Sequence, residues 1–337
     1  PISGVTYTGS KLTNSGTIIT NNISSVGMYV KDESNATSSG SITLNKSGSV
    51  GMFGVNEAKL TNSGTSNGIT VNEINSAGMY ANNSDAENTG TITIIGGTPA
   101  IGSTAIQSAG IFSQMYGISG NVLSKSIVNS GTITVGTTGT TLTEGAGIYG
   151  EIMSASGTPA GNGGTLTINN SGNIKLNLEG KVIGIYGKDS YTTATNNPSN
   201  NSMKINMTGG KIEGSATSAG AIGIYGYLST IKTTGGTIEL AGTGVAGIYG
   251  EHNSNIENEA EIKATNTDSI AHSSPSVTSN SKSVGIMAVD SNVYNKSNGK
   301  ITMEGAGSAG IYAKGDKLVS TPVTLILSTL PIAKNDG

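Results

Sequence analysis

Carboxylates at matched positions of two similar segments are the first residues in this sequence that could do chemistry. Glu213 and Glu239 each follow an isoleucine in segments of the same pattern. Two carboxylates at a fixed separation can bind a cation, or serve as the acid and the nucleophile of a glycosidase. However, Lys175 and Lys263 hold the equivalent position in other segments. We therefore predict an ordinary solvated face, on which the two glutamates are neighbouring like charges.

The remaining reactive side chains lack the spacing that a catalytic or metal site requires. The two histidines, His252 and His272, fall in predicted loops, and only Glu251 stands beside the first. The chain has no cysteine, which excludes a disulfide framework, a zinc-thiolate site and a cysteine nucleophile. The glycine-rich turns at 161–164 and 208–210 lack the lysine and serine of a phosphate-binding loop. We predict no catalytic residue, no cofactor, no metal and no enzymatic activity.

The composition points away from a thick globular core and from charged polymers as ligands. The 337 residues include 51 glycines, while aromatic residues make up 4% and charged residues 12%. The net charge of −3 comes without a basic run, so we predict no nucleic-acid partner. The sequence contains no apolar run of membrane-spanning length, and its first residues do not form a signal peptide. If the native protein is exported, we expect this chain to be a piece of it.

Most aromatic residues belong to a motif that returns ten times. In each copy a glycine is followed by isoleucine or methionine and then by an aromatic residue, with Met287 replacing the ring once. The glycines are Gly27, Gly51, Gly78, Gly110, Gly147, Gly184, Gly223, Gly247, Gly285 and Gly310. The aromatic residues are Tyr29, Phe53, Tyr80, Phe112, Tyr149, Tyr186, Tyr225, Tyr249 and Tyr312.

A second motif, such as "VNSGTITV" at 128–135, alternates with the first one and gives the chain a period. Where nothing is inserted, steps of 11 and 13 residues separate the motif glycines, so the basic repeat has 24 residues. Such a period is typical of a solenoid, and the β-branched residues between glycines and asparagines favour short strands. We predict an all-β, right-handed parallel β-helix of about ten coils. It forms one domain over 1–337, with repeats at about 10–315 and a partial coil or cap at 316–337.

Alternation along a strand predicts which residues of the first motif face the core. It places Ala246, Ile248 and Gly250 inward, and Gly247 and Tyr249 outward. The nine aromatic side chains should then form one exterior column, with successive rings about 4.8 Å apart. Two interpretations of the column stay open: mutual stacking that holds the coils in register, or a groove for sugar rings or a partner protein.

Asparagine recurs two residues before the turn glycine of the second motif. Asparagine tolerates the left-handed backbone conformation, and stacked amides can form a ladder of hydrogen bonds along the axis. The asparagines are Asn14, Asn62, Asn88, Asn129, Asn170 and Asn258, and Ser38, Thr208, Thr234 and Ser297 take the same place in the other copies.

Insertions interrupt the repeat at two corners. After the aromatic strand, three consecutive coils carry insertions at 113–126, 151–165 and 188–202, which should stack into one protrusion. The other corner is enlarged at 94–107 and 264–283. Corner loops of a solenoid often carry its binding surface.

Three tyrosines outside the column are candidates for partner binding. Tyr116 and Tyr191 fall in the stacked insertions, and Tyr227 follows the column residue Tyr225 by two positions. Aromatic side chains are frequent at binding hot spots. The alternative is that these rings only cover the edge of a coil.

The arginine-free alternation of "NSGTITV" and "GIYG" resembles the passenger region of bacterial type V autotransporter adhesins, most narrowly the large fusobacterial outer-membrane autotransporters. The resemblance covers about residues 10–315. It implies a right-handed parallel β-helix exposed at the bacterial cell surface and anchored by a C-terminal β-barrel outside this chain. It also implies non-covalent attachment to host cells or to other bacteria, and it supplies no catalytic residues.

The functional expectation is therefore a surface-displayed adhesin fragment. Its partners would be a host-cell receptor or glycan, or the surface of another bacterium, and we expect the fragment to be monomeric. Two alternatives stay open: a carbohydrate-active β-helix enzyme, either a lyase or a glycosidase, and a purely structural spacer.

Overall fold

The computed structural model describes most of the chain in twelve segments. The described residues are 9–66, 68–96, 108–116, 123–136, 144–153, 164–177, 181–190, 202–216, 218–265, 283–305, 307–315 and 333–335. Tyr191, His272, residues 117–122 of the first predicted insertion and the greater part of each other predicted insertion lie outside these segments, as does 316–337 except for 333–335.

The described strands form three parallel sheets, each built from one strand per coil. Sheet A contains β1 (Lys11–Asn14), β4 (Asn35–Ser38), β7 (Lys59–Asn62), β10 (Asp85–Asn88), β13 (Ser124–Asn129), β16 (Thr165–Asn170), β19 (Met203–Met207), β22 (Ser229–Thr233), β25 (Asn255–Asn258), β28 (Asn292–Asn295) and β31 (Ala333–Asn335). Sheet B contains β2 (Thr17–Thr20), β5 (Ser41–Leu44), β8 (Ile69–Val71), β11 (Thr91–Ile94), β14 (Thr132–Val135), β17 (Asn173–Leu176), β20 (Lys211–Gly214), β23 (Thr237–Leu240), β26 (Glu261–Ala264) and β29 (Lys300–Met303). Sheet C contains β3 (Val26–Lys31), β6 (Val50–Val55), β9 (Ser76–Asn82), β12 (Ser108–Tyr116), β15 (Glu144–Met153), β18 (Lys181–Asp189), β21 (Ile222–Tyr227), β24 (Ala246–Glu251), β27 (Val284–Val289) and β30 (Ala309–Lys314).

The order A, B, C repeats ten times, and each strand pairs in parallel with the equivalent strands of the coils before and after it. The chain is thus a right-handed parallel β-helix of ten coils, and the predicted fold class is confirmed. Strand β31 pairs with β28 and extends sheet A by one strand.

Each coil has three sides, one more than the two sequence motifs suggest. The second motif itself contains a corner, because Asn129 ends β13 and Thr132 begins β14. The strands of sheet C also continue into the predicted insertions. Strand β12 runs to Tyr116 and β15 to Met153, past the starts of the insertions predicted at 113 and 151.

The core is a thin stack of aliphatic side chains, as the composition indicates. In sheet B, Ile92, Ile133 and Ile174 pair in register and are fully buried. Each buried isoleucine contributes roughly 1.5–3 kcal/mol relative to an exposed one. Threonines at the alternate positions, such as Thr132 and Thr134, face outward and are partly exposed, as the alternation predicts.

In sheet C, the orientation predicted from simple alternation is wrong at two positions, the motif glycine and the residue before it. Val245 and Ile248 belong to the core cluster, whereas Ala246 does not. A Cβ added at Gly247 would meet Cγ2 of Ile262 in the core and lie 2.6 Å from the carbonyl oxygen of Gly285. Gly247 therefore faces inward, together with Ile248. The strand is locally irregular there, and Ala246 faces outward with the tyrosine.

The predicted asparagine ladder exists, and it is buried inside sheet A. Asn62 donates to Asn88 at 2.7 Å, Asn88 to Asn129 at 2.8 Å, and Asn129 to Asn170 at 2.7 Å. A second segment joins Asn258 to Asn295 at 2.7 Å.

Three members of the predicted ladder are wrong by one or two residues. Pairing places Met207, Thr233 and Asn295 in the ladder instead of Thr208, Thr234 and Ser297. Buried Met207 interrupts the amide bonds, while the Thr233 hydroxyl donates to Asn258 at 2.7 Å.

Left-handed residues other than glycine lie at other corners than predicted. The ladder asparagines end strands of sheet A, and none of them has a positive φ. Positive φ values occur at Asn83, His252 and Asn253, where the chain turns from sheet C to sheet A. The backbone N–H groups of these turns donate to the next coil, for example His252 to Val289 at 3.2 Å. The turn conformation is thereby tied to coil stacking.

Candidate functional site

The exterior aromatic column forms as predicted on the outer face of sheet C. From Tyr29 to Tyr249, eight rings follow one another with centroids 4.6 to 5.5 Å apart. Met287 pairs in register between Tyr249 and Tyr312, so the last ring stands apart. At the two ends, Tyr29 is 50% and Tyr312 43% exposed.

Most rings of the column stack on neighbouring rings of the same column. Phe112, Tyr149, Tyr186 and Tyr225 form a parallel stack with interplanar angles between 3° and 14°. A sugar ring binds on an open aromatic face, and inside this stack the faces are occupied by neighbouring rings. Within the stack, the geometry favours the interpretation that the column holds the coils in register.

A row of polar side chains runs beside the column, two residues after the rings of coils four to eight. In consecutive coils, pairing brings together Gln114, Glu151, Lys188, Tyr227 and Glu251, which we call the polar row. The Tyr80 hydroxyl donates to Oε1 of Gln114 at 2.5 Å, and the Tyr149 hydroxyl donates to Glu151 at 2.9 Å. The polar row therefore fixes the outer ends of the rings.

Glu251 accepts hydrogen bonds from two phenols of neighbouring coils. Tyr249 donates to its carboxylate at 2.9 Å, and Tyr225 donates to the other oxygen. These two rings meet edge to face, with an interplanar angle of 87°. One carboxylate thus joins two coils where the parallel stack ends.

The tyrosines of the column are weak acids. Burial, and then the charge of Glu151, raise the pKa of Tyr186 to about 12. Burial and the hydrogen bond to Glu251 raise the pKa of Tyr249 to about 12. The pKa values of Tyr149 and Tyr225 are raised further by burial and by Glu151 and Glu251, respectively. These phenols stay protonated at neutral pH and do not act as bases, and those of Tyr149, Tyr225 and Tyr249 donate hydrogen bonds.

Charged and aromatic groups cluster in the middle of the polar row. The Lys188 ammonium lies 3.6 Å from Glu151 and 5.8 Å from the ring centre of Tyr227. His252 stacks on Tyr227 with ring centres 4.4 Å apart, so it is not the isolated surface histidine that the sequence suggests. Glu151 is almost fully buried and also accepts from the Ser190 hydroxyl at 2.8 Å. The cluster is an ordered polar patch that spans coils five to eight.

Two of the three predicted partner-binding tyrosines lie on this face. Tyr227 belongs to the polar row. Tyr116 ends β12, where its N–H donates to Asn83 Oδ1 at 2.7 Å and its hydroxyl approaches Gln114 at 3.4 Å. Both side chains are partly buried against neighbouring polar groups. Tyr191 lies outside the described residues.

The matched glutamates of sheet B pair in adjacent coils, as predicted. They do not remain two uncompensated like charges, because the Lys211 ammonium lies 2.9 Å from both Glu213 and Glu239. The hydrogen bond and charge of Lys211 lower the pKa of Glu213. A general acid needs a raised pKa, so this pair is a surface ion-pair network.

An open cleft of about 350 Å³ lies at the edge of the column. Tyr80 and Phe112 form one side, and outward residues at the start of three sheet C strands form its floor: Val50, Ala77 and Ala109. These three belong to an apolar row whose first residue, Val26, is 40% exposed. Sequence reasoning misses this row because alternation assigns it to the core.

Sequence reasoning also missed the polar row, although its signal is present in the sequence. Once the coils are aligned on the aromatic residue, Gln114, Glu151 and Lys188 occupy the same place, two residues later. The sequence does not reveal that Glu251 accepts from two coils, since that depends on ring orientation. The strands that carry Gln114, Glu151 and Lys188 are the longest of sheet C, with nine or ten residues.

Comparison with protein-family models, with curated proteins and with solved structures finds no match to this chain. Among the described residues, no cluster of three or more histidine, aspartate or glutamate side chains could hold a metal ion. The same part of the chain contains no helix with the length and apolar character that crossing a membrane requires.

Proposed function

We propose that this chain is part of a surface-displayed bacterial adhesin, and that it attaches without covalent chemistry to host cells or to other bacteria. The observation that carries the proposal is the outer face of sheet C at β12, β15 and β18. There the three longest strands present Gln114, Glu151 and Lys188 of the polar row beside the aromatic column, and the insertions predicted at 113–126, 151–165 and 188–202 begin within the same strands. The resemblance to autotransporter passengers agrees with this role.

The arrangement of acids favours binding over turnover. Glu151 and Glu251 are three coils apart, roughly 14 Å at the usual strand spacing. Glycosidases hold their two carboxyl groups about 5–9.5 Å apart. In the closer pair, Glu213 and Glu239, both carboxylates form ion pairs with Lys211. A polysaccharide lyase or glycosidase remains the alternative, and new reducing ends or unsaturated sugars after incubation with polysaccharides would establish it.

The partner in this proposal is a protein receptor or a glycan on a host cell, or the surface of another bacterium. The fragment acts as a monomer at the bacterial surface, and the rod of stacked coils holds the binding face away from the cell. Under the spacer alternative, the same rod would carry no binding face of its own.

Shortening the three insertions to the 13-residue return of the uninterrupted coils tests the location of the site. We expect attachment to host cells or partner bacteria to fall strongly, while the β-sheet circular dichroism spectrum is retained. The matched control removes residues 266–282 from the other corner and should leave attachment unchanged. Full attachment by the first variant would contradict the placement, and equal loss in both would point to general damage.

A further inference from the structure

We propose that the cleft beside Tyr80 and Phe112 binds a planar aromatic ring, presented as a tryptophan or tyrosine side chain by a partner protein. The proposal rests on the binding function proposed above and names the chemistry of one contact. The cleft lies on the same face of sheet C as the polar row and reaches across coils two to four.

The rings that border the cleft change orientation at this point of the column. Phe53 and Tyr80 are parallel within 9°, and Phe112 and Tyr149 are parallel within 7°. Between them, Tyr80 and Phe112 meet at 78°. Two rings that meet edge to face do not cover each other completely, as parallel neighbours do. The change of orientation therefore leaves aromatic surface for a third ring.

The floor of the cleft is deep because the apolar row carries small side chains there. Ala77 and Ala109 occupy positions at which Ile183 and Ile222 stand in coils six and seven. The volume of about 350 Å³ falls at the lower end of the range for ligand pockets. A single ring or a fused bicyclic ring fits within this volume.

The polar atoms around the cleft favour an aromatic ring over a sugar. The buried Ser76 hydroxyl donates to the Ile74 carbonyl at 3.0 Å and accepts from the Ser49 N–H at 3.1 Å. A sugar would bring many hydroxyl groups to a surface where such partners are already engaged, and each unpaired group costs free energy. The exposed amide of Asn75 at the rim suits the one polar group of an indole or a phenol.

The cleft is ordered before any ligand binds. The Tyr80 hydroxyl is held by Gln114 at 2.5 Å, and the backbones of Ser49 and Ala77 are joined by a hydrogen bond of 3.0 Å. A preformed site loses little conformational entropy on binding, so a single ring can bind measurably.

The test uses N-acetyltryptophanamide as the probe, because the chain contains no tryptophan and the indole emission belongs to the probe alone. We expect a saturable blue shift of that emission with the unmodified protein. Ala77→Ile should weaken binding about tenfold or more by filling the floor. The matched control is Ala246→Ile, in the same row but outside the cleft, and it should bind like the unmodified protein.

Three results would overturn the proposal: no saturable shift, equal weakening by Ala77→Ile and Ala246→Ile, or displacement of the probe by a neutral methyl hexoside. The proposed adhesin function is read separately, from cell attachment. Retained attachment with no probe binding would remove the ring site and leave the adhesin standing. Probe binding without cell attachment would support the ring site and contradict the adhesin function.

Discussion

At the scale of single residues, the side chains that matter most are those that hold the tyrosines of the column in place. Glu251 accepts from two phenols and Glu151 from one phenol and one serine. Burial and then the carboxylates keep the phenols protonated, and the phenols orient the carboxylates. The outer face of sheet C therefore presents fixed groups to a partner.

Replacement of Glu251 tests this coupling. In Glu251→Gln the negative charge beside Tyr225 and Tyr249 is lost, so the pKa of Tyr249 should fall from about 12 toward its ordinary 10.0. Ultraviolet absorbance of tyrosinate against pH measures the change. Glu261→Gln removes the same charge from sheet B and should leave the curve unchanged. An unshifted curve for Glu251→Gln would show that burial alone sets these values.

At the scale of elements, the motif glycine permits the strands of sheet C to pack against sheet B. A Cβ added at Gly147 would lie 2.6 Å from Cγ2 of Ile174 and 2.7 Å from the carbonyl oxygen of Gly184. The first neighbour is a core side chain and the second is backbone of the next coil. Neither can move without disturbing the stack.

Gly147→Ala should therefore destabilise the protein by about 1–3 kcal/mol, the usual cost of overpacking. Urea unfolding monitored by circular dichroism measures the loss. Gly16→Ala is the matched control, because a Cβ there meets no atom within 4 Å and the φ of Gly16 is not positive. It should change stability by less than about 1 kcal/mol. Similar losses in both variants would contradict the close approach at Gly147.

The sequence predicts some features of these elements correctly and others not, and the reason is physical. Residues equivalent to Ile133 and Tyr149 recur along the chain with a regular spacing. The coils, the buried rows and the aromatic column therefore follow from periodicity. The inward orientation of Gly247 does not follow from periodicity. Alternation assumes a regular strand, whereas the irregularity at Gly247 depends on contact with the neighbouring sheet. Met207 occupies one position of the ladder in place of an asparagine. The asparagines of the sequence therefore reveal neither that this position belongs to the ladder nor that the ladder is interrupted there.

At the scale of the whole molecule, stability should depend on pH through the column. The folded-state pKa of Tyr186 is about 12 and its ordinary value is 10.0, so the folded state favours the protonated phenol. A group with a raised pKa contributes its full stability below the unfolded value and loses it as pH rises through the folded value.

We therefore expect the free energy of unfolding to hold below about pH 10 and to fall between pH 10 and 12. Urea unfolding at a series of pH values measures this. Tyr186→Phe keeps the ring and removes the ionisable hydroxyl, so its curve should fall less steeply in the same range. Parallel curves for the two proteins would assign the loss to other groups.

The continuity of the column has an optical consequence. Light energy absorbed by one tyrosine can pass to its neighbour, because the ring centres of Tyr149, Tyr186, Tyr225 and Tyr249 follow one another at 4.6 to 5.4 Å. Emission then comes from a different ring than the one that absorbed, and its polarisation is scrambled although the protein is rigid. The depolarisation depends on the spacing and the relative orientation of the rings, so the intrinsic fluorescence reports the stacking of the coils without any added label.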